Sequence, residues 1–383
     1  IRLSKQGVFS NMSINRLATK VAVFLALVMS LVFTTSIAVA QEASSVPTRT
    51  AVISDTNLPG VTLTVTMEQV AIQEAGKQLE GWLISDDGST KLNVGILSIE
   101  SGSVSHTYTS KTGENLIAGY NKFVITVEPS GIPDDEISGV YAYSHRVPLD
   151  VITHVRHLLV EYPSGSETGV VTDLQNSLST AIAHINKAMD ASTLADVTTN
   201  ANNAKDAIDS SVLTDVANLE HAAYAASEAP SDATVAEHAA NIAATQSNIT
   251  TWATAAATQI GVATSKTTAQ NAKIQLTSAL GYLESALSGV DANADGTIAA
   301  TLNEGGANQA YVEAQAIATY TLSEGELSEV GGDLGLGLPS TGDAYASYLL
   351  SSHSISLGLI FAALMVIGGG ILVMRTRRVG STE

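Results

Sequence analysis

Between residues 52 and 147, β-branched and aromatic residues alternate with polar ones in short runs at 61–66, 79–85, 92–99, 103–109, 123–128 and 140–144. Asp86-Asp87-Gly88, Ser101-Gly102 and Ser130-Gly131 interrupt these runs at short intervals. Period-two alternation with close-set turns predicts an antiparallel β-sandwich over 50–148, with Trp82 in its core. Beyond about Asp150 the period changes. Apolar residues at 171, 174, 178, 182, 185 and 189 form one helical stripe, and those at 235, 239, 242, 249, 253, 256 and 260 form another. Helices are predicted near 168–191, 193–210, 212–228, 232–262, 266–288 and 305–322. Ala229-Pro230-Ser231-Asp232 supplies a breaker followed by cap residues. The expected product is an Ala-rich up-and-down helical bundle over 150–322, and the expected fold class is multidomain α+β.

The two ends have a different texture. Arg16 and Lys20 precede an uncharged apolar run at 21–32, and Ala38-Val39-Ala40 stands before Gln41. This is the layout of a signal peptide over 12–40, with the mature chain starting at Gln41. Residues 355–374 are apolar and uncharged, long enough at about 1.5 Å per residue to form a transmembrane helix. Arg375, Arg377 and Arg378 follow, so 375–383 is expected as a cytoplasmic tail with the rest of the mature chain outside. A Gly- and acid-rich linker over 323–354 joins the bundle to this anchor. Within it, Leu338-Pro339-Ser340-Thr341-Gly342 resembles the LPXTG sorting motif read by sortases. The resemblance implies cleavage between Thr341 and Gly342 and attachment to a cell wall. The spacer at 343–354 is longer than such signals usually have, which leaves open a retained single-pass anchor.

Charge narrows the partners. The chain has 18 Lys and Arg against 37 Asp and Glu, a net charge of −19. Arg2, Lys5, Arg16, Lys20, Arg375, Arg377 and Arg378 all lie in the end segments, so the expected ectodomain is more acidic still. Such a surface repels nucleic acid. The chain has no cysteine, which excludes disulfides and thiol catalysis. The expected partners are the membrane, a cell wall reached through sortase, and an extracellular ligand or protein that the sequence does not name.

Three segments of the sandwich region carry a second resemblance: Ala75-Gly76-Lys77-Gln78-Leu79-Glu80-Gly81-Trp82-Leu83-Ile84, the Gly95-Ile96-Leu97 strand, and Phe123-Val124-Ile125-Thr126-Val127-Glu128-Pro129-Ser130-Gly131. They are similar to the extracytoplasmic domain of the anti-sigma-K factor family, which implies a sandwich outside the membrane. In that family a separate cytoplasmic segment binds the sigma factor. Only Arg375 to Glu383 follow the hydrophobic span, so sigma-factor inhibition is not carried over. A regulatory anti-sigma factor stays as an alternative to a surface protein with a helical binding or sensing domain.

No nucleophile elbow or phosphate loop is present, so no enzymatic activity is expected. The remaining chemistry is metal binding. His154 and His157 are three apart, which on a helix puts both imidazoles on one face. His145 is the upstream candidate for a third nitrogen, although Arg156 stands between the pair. Glu220-His221-Ala222-Ala223 and Glu237-His238-Ala239-Ala240 would lie level across a hairpin at Pro230, as a bis-histidine metal or haem site requires. On a helix spanning 212–228, however, His221 falls opposite Val212, Val216, Leu219 and Ala223, which predicts a solvated side chain. Calcium is the one named cofactor the sequence raises. Asp291, Asn293, Asp295, Gly296, Thr297 and Ile298 fill positions 1, 3, 5, 6, 7 and 8 of an EF-hand-type loop, with Asp291, Asn293, Asp295 and Thr297 as ligands. Position 12 is Leu302, and Glu304 is two residues out of register. The competing reading is an Asp/Asn/Gly turn that needs no ion.

Overall fold

The structure is a computed structural model that describes residues 47–71, 73–131, 136–325 and 327. The expected signal peptide, sorting motif, membrane span and basic tail lie outside the described residues. No helix among the described residues is long and apolar enough to cross a membrane.

The chain is α+β, with two five-stranded antiparallel sheets and a helical region. The strands are β1 (Arg49–Ser54), β2 (Thr62–Met67), β3 (Lys77–Ser85), β4 (Lys91–Leu97), β5 (Ile99–Glu100), β6 (Ser103–Thr109), β7 (Tyr120–Pro129), β8 (Tyr141–Arg146), β9 (Tyr320–Thr321) and β10 (Ser323–Glu324). One sheet runs β5-β6-β2-β1-β9 and the other β10-β8-β7-β3-β4. Alternate residues of both sheets enter one core: Ala51, Ile53, Leu63, Val65 and Met67 from the first, Leu79, Leu83, Phe123 and Ile125 from the second. Each such large side chain contributes roughly 1.5–3 kcal/mol through burial. Trp82 is buried as expected but not in this core. Its parity along β3 puts it with Ile84 and Val124 in a separate cluster, where its indole N–H donates to Thr126 Oγ1 at 3.0 Å.

The helical region is inserted between β8 and β9. It opens with α2 (Leu149–Leu159), a short turn α1 (Leu116–Gly119) having preceded β7. Then come α3 (Val170–Asp190), α4 (Leu194–Ala207), a π-helical turn at Ile208–Val212, α5 (Leu213–Asn218), α6 (His221–Glu228), α7 (Ala233–Thr264), α8 (Ala269–Ser288) and α9 (Ala307–Ile317). The second predicted stripe is found whole; in the first, Ile182 and Met189 are only half-buried, and Ala181 and Ala188 take the buried positions beside them. In α7, Val235, Ala239, Ile242, Ile249, Ala253, Ala256 and Ile260 are all buried, and Asp232 caps the helix by accepting from Thr234 N and Val235 N. In α3 the buried face is Val171, Leu174, Leu178, Ala181, Ile185 and Ala188. Gly169 starts α3 hard against the end of α2, where a Cβ would stand 2.5 Å from the Leu159 carbonyl carbon.

After α9 the chain returns to the sheets, where a linker had been expected from residue 323. Leu322 N donates to Arg49 O at 2.8 Å, and Arg49 pairs with Glu324 at 2.8 Å. Tyr320 is fully buried against Phe123, its hydroxyl donating to Tyr120 O at 3.2 Å. The helical region is thus tied to the sheets at both of its ends.

Candidate metal centre

Helix α2 begins after Pro148, with Asp150 in its first turn and Arg156 and His157 in its last, the polarity that the helix dipole favours. It buries Val151, Ile152, Val155, Leu158 and Leu159. His154 and His157 flank that stripe, their ring centroids 5.9 Å apart. Thus far the structure matches the i, i+3 reading. The third imidazole comes from elsewhere. It is His221, the first residue of α6, which packs against α2.

His221 is 8% exposed, in contrast to the solvated position expected. The reason is a break in the helix. Leu219 N and Glu220 N donate only three residues back, to Val216 O and Ala217 O. A stripe counted through from Val212 therefore misplaces everything after Glu220. Neither Gly nor Pro marks the break, so nothing in the local sequence gives it away.

The three rings are close. His154 Nδ1 and His221 Nδ1 are 3.1 Å apart, and the His157 and His221 centroids are 4.6 Å apart. One nitrogen from each histidine can be chosen so that all three lie within 4.8 Å of one another. Tyr162 lies against His221 at 4.6 Å and His157 at 5.3 Å, while Tyr224 lies 5.5 Å from His154 and 5.6 Å from His221. His157 Nδ1 is buried without a hydrogen-bond partner.

Burial, reinforced by the neighbouring His157 and His154, pushes the His221 pKa down to about 4. Burial and then His154 lower His157 as well. Both rings are therefore neutral near pH 7, with lone pairs available to a cation. Imidazole nitrogens suit zinc, copper, nickel or cobalt, and do not suit calcium or magnesium, which take oxygen. Tetrahedral ligands about zinc stand roughly 3.3 Å from one another, so the widest separation here must close by about 1.5 Å through side-chain rotation. The donor set fits a transition ion.

The other expected site residues lie apart. His145, in β8, is half-buried edge-on to Tyr320 at 6.1 Å and engages the backbone of Thr321. His238 Nδ1 meets Glu313 Oε2 at 2.6 Å, and Asn241 Nδ2 donates to the same oxygen at 3.0 Å. His221 and His238 thus have separate partners, and the bis-histidine pair is not formed.

The calcium-like loop lies between α8 and α9. Asp291 Oδ1 and Oδ2 accept from Asp295 N and Gly296 N, Asn293 Oδ1 accepts from Asp295 N, and Asp295 Oδ1 accepts from Thr297 N and Oγ1. Gly296 takes φ +88°, as the sharp turn requires. Leu302, at position 12, is 61% exposed. Glu304 reaches the loop despite its register: it is 4% exposed, and it accepts from Asn293 N, Ala299 N and Thr301 Oγ1. The loop's carboxylates are engaged by its own N–H and O–H groups. No family model, no curated protein and no solved structure matches this chain.

Proposed function

We propose that this chain is an exported, envelope-tethered protein whose outer part binds a divalent transition-metal ion through His154, His157 and His221. The observation that carries the reading is the convergence of three imidazoles within 4.8 Å, one of them with a buried nitrogen that has no partner. A buried polar atom left unpaired is costly, and a cation would satisfy it. Location rests on the sequence signals: cleavage before Gln41, an anchor at 355–374, and either sortase attachment at Thr341 or a retained membrane span. The two sheets, sharing one core, support a sandwich, and the inserted helices support an Ala-rich bundle carried on it. The likeness to the anti-sigma-K extracytoplasmic domain belongs to this reading at the level of fold alone. Calcium at Asp291, Asn293, Asp295 and Thr297 is the lesser reading, because those side chains are already in use.

Calorimetric titration of the full chain in detergent with Zn²⁺, Cu²⁺, Ni²⁺, Ca²⁺ and Mg²⁺ tests the proposal. One tight site for a transition ion is expected. Equal binding by a variant with all three histidines replaced by alanine would contradict it.

A further inference from the structure

Arg156, which interrupts the histidine pair in sequence, points to how the metal centre is held. Its guanidinium forms a two-pronged clamp on Asp86, Nη1 to Oδ2 at 2.5 Å and Nη2 to Oδ1 at 2.9 Å, while Nε donates to Ile117 O at 2.9 Å. Asp86 belongs to the turn between β3 and β4. That turn is fixed from the other side by Lys122, whose Nζ donates to Ser85 O and Asp86 O at 3.0 and 2.8 Å. The fork geometry matters, since a bidentate Arg–carboxylate pair fixes direction as well as distance.

The placement on α2 gives the clamp a consequence. At about 100° per residue, the buried stripe of Val151, Val155 and Leu158 has the histidines on one flank and Arg156 on the other. The buried stripe sets which face of this 11-residue helix is inward, and the two-pronged clamp adds a directional restraint on its rotation. Turning it by about 15° would carry a ring nitrogen some 6 Å from the axis through roughly 1.5 Å. Metal–ligand distances hold to about ±0.2 Å. Small rotations of α2 therefore decide whether His154 and His157 meet His221 in binding geometry.

We infer that Arg156 is the positioning residue of the metal centre, and that its clamp on Asp86 couples ion binding to the turn between β3 and β4. The inference rests on the proposed metal site. Coupling of this kind is reciprocal: if the clamp tightens ion binding, the ion tightens the clamp by the same factor.

The test uses the full chain in detergent and the variants Asp86→Asn, Arg156→Lys and Arg156→Gln. Zn²⁺ affinity is measured by chelator competition, and geometry by the Co²⁺ visible spectrum. Arg156→Lys keeps the charge and loses the fork, so it remains informative should the other two fail to fold. Expected are a weakening of Zn²⁺ binding by about 10- to 100-fold, the range for groups that orient ligands, and a Co²⁺ spectrum displaced from tetrahedral. In the unmutated protein Zn²⁺ should slow hydrogen exchange at 85–90, and in Arg156→Lys it should not. Folded variants with unchanged Zn²⁺ affinity and Co²⁺ spectrum would overturn the inference while leaving the metal site standing. Absence of Zn²⁺ binding by the unmutated chain would remove both.

Discussion

The helical region contains two places shaped like ion sites, and they differ in how their donors are occupied. The loop at 291–304 is contiguous in sequence, yet Asp291, Asn293, Asp295 and Glu304 all accept from the loop's own backbone. The cluster of His154, His157 and His221 is assembled from α2 and α6, 64 residues apart at its nearest in sequence, and leaves His157 Nδ1 unpaired. A motif can thus be spelled over its first eight positions while its ligands are already consumed. Conversely, a site with no motif can leave a ring nitrogen unpaired, as His157 Nδ1 is, beside a His154–His221 hydrogen bond that a cation would replace.

The sharpest break in this comparison comes from His221→Ala. It removes the one ligand that α6 supplies and should weaken Zn²⁺ by more than about 100-fold, beyond the range for an orienting group. Calorimetric titration reads it. The same substitution should leave the loop untouched.

Next in size is Asn248→Ala. From α7, Asn248 Nδ2 donates to Thr301 O at 2.8 Å and Gly305 O at 2.9 Å, and its Oδ1 accepts from Asn303 N at 2.7 Å. Asn248 itself is 4% exposed. Removing it leaves partly buried backbone groups unpaired, so a loss of about 2–3 kcal/mol is expected by denaturant unfolding. A neutral result would mean that the loop is held by something other than this side chain.

How much of this is legible in the sequence depends on how local each determinant is. The α7 stripe from Val235 to Ile260 and the Asp232 cap were legible, because periodicity and capping act within a few residues. So were most of the strands. Trp82 was legible as buried but was assigned to the wrong face, since alternation gives parity and not which parity faces the second sheet. The strands β9 and β10, two residues each, leave no periodic trace. At the site, His154 and His157 were legible from spacing. His221 was legible as a candidate ligand but with the wrong partner, His238, and Tyr162 and Tyr224 were not legible at all, because the break before α6 has no breaker residue and the contact with α2 is tertiary.

A third histidine extends the comparison at smaller magnitude. His238 is raised by its hydrogen bond to Glu313, which outweighs burial. Burial pushes Glu313 up, but the bonds from His238 and Asn241 prevail and leave it lowered. The histidine's contribution is full below its ordinary value of 6.5 and is lost as pH rises through the raised one. The acid's contribution is present above 4.5 and is lost as pH falls through the lowered one. Stability from this pair should therefore peak between pH 4.5 and 6.5, by under about 1 kcal/mol. Glu313→Gln should flatten that part of the profile in thermal melts. An unchanged profile would show that the pair does not titrate as described.

The smallest expected effect is none. Calcium at about 10 mM, some tenfold above the weak end of extracellular sites, should leave the melting temperature unmoved within error. A rise that Asp291→Ala with Asp295→Ala abolishes would show that an ion can displace the loop's own hydrogen bonds. The two sites would then be alike.

The central claim is that His154, His157 and His221 together bind a transition ion. Zinc-edge X-ray absorption of the Zn²⁺-loaded full chain addresses it directly. The account predicts three imidazole ligands at about 2.0–2.1 Å, with imidazole scattering lost in the variant that lacks all three histidines. A shell of oxygen alone, or the same spectrum from that variant, would contradict it.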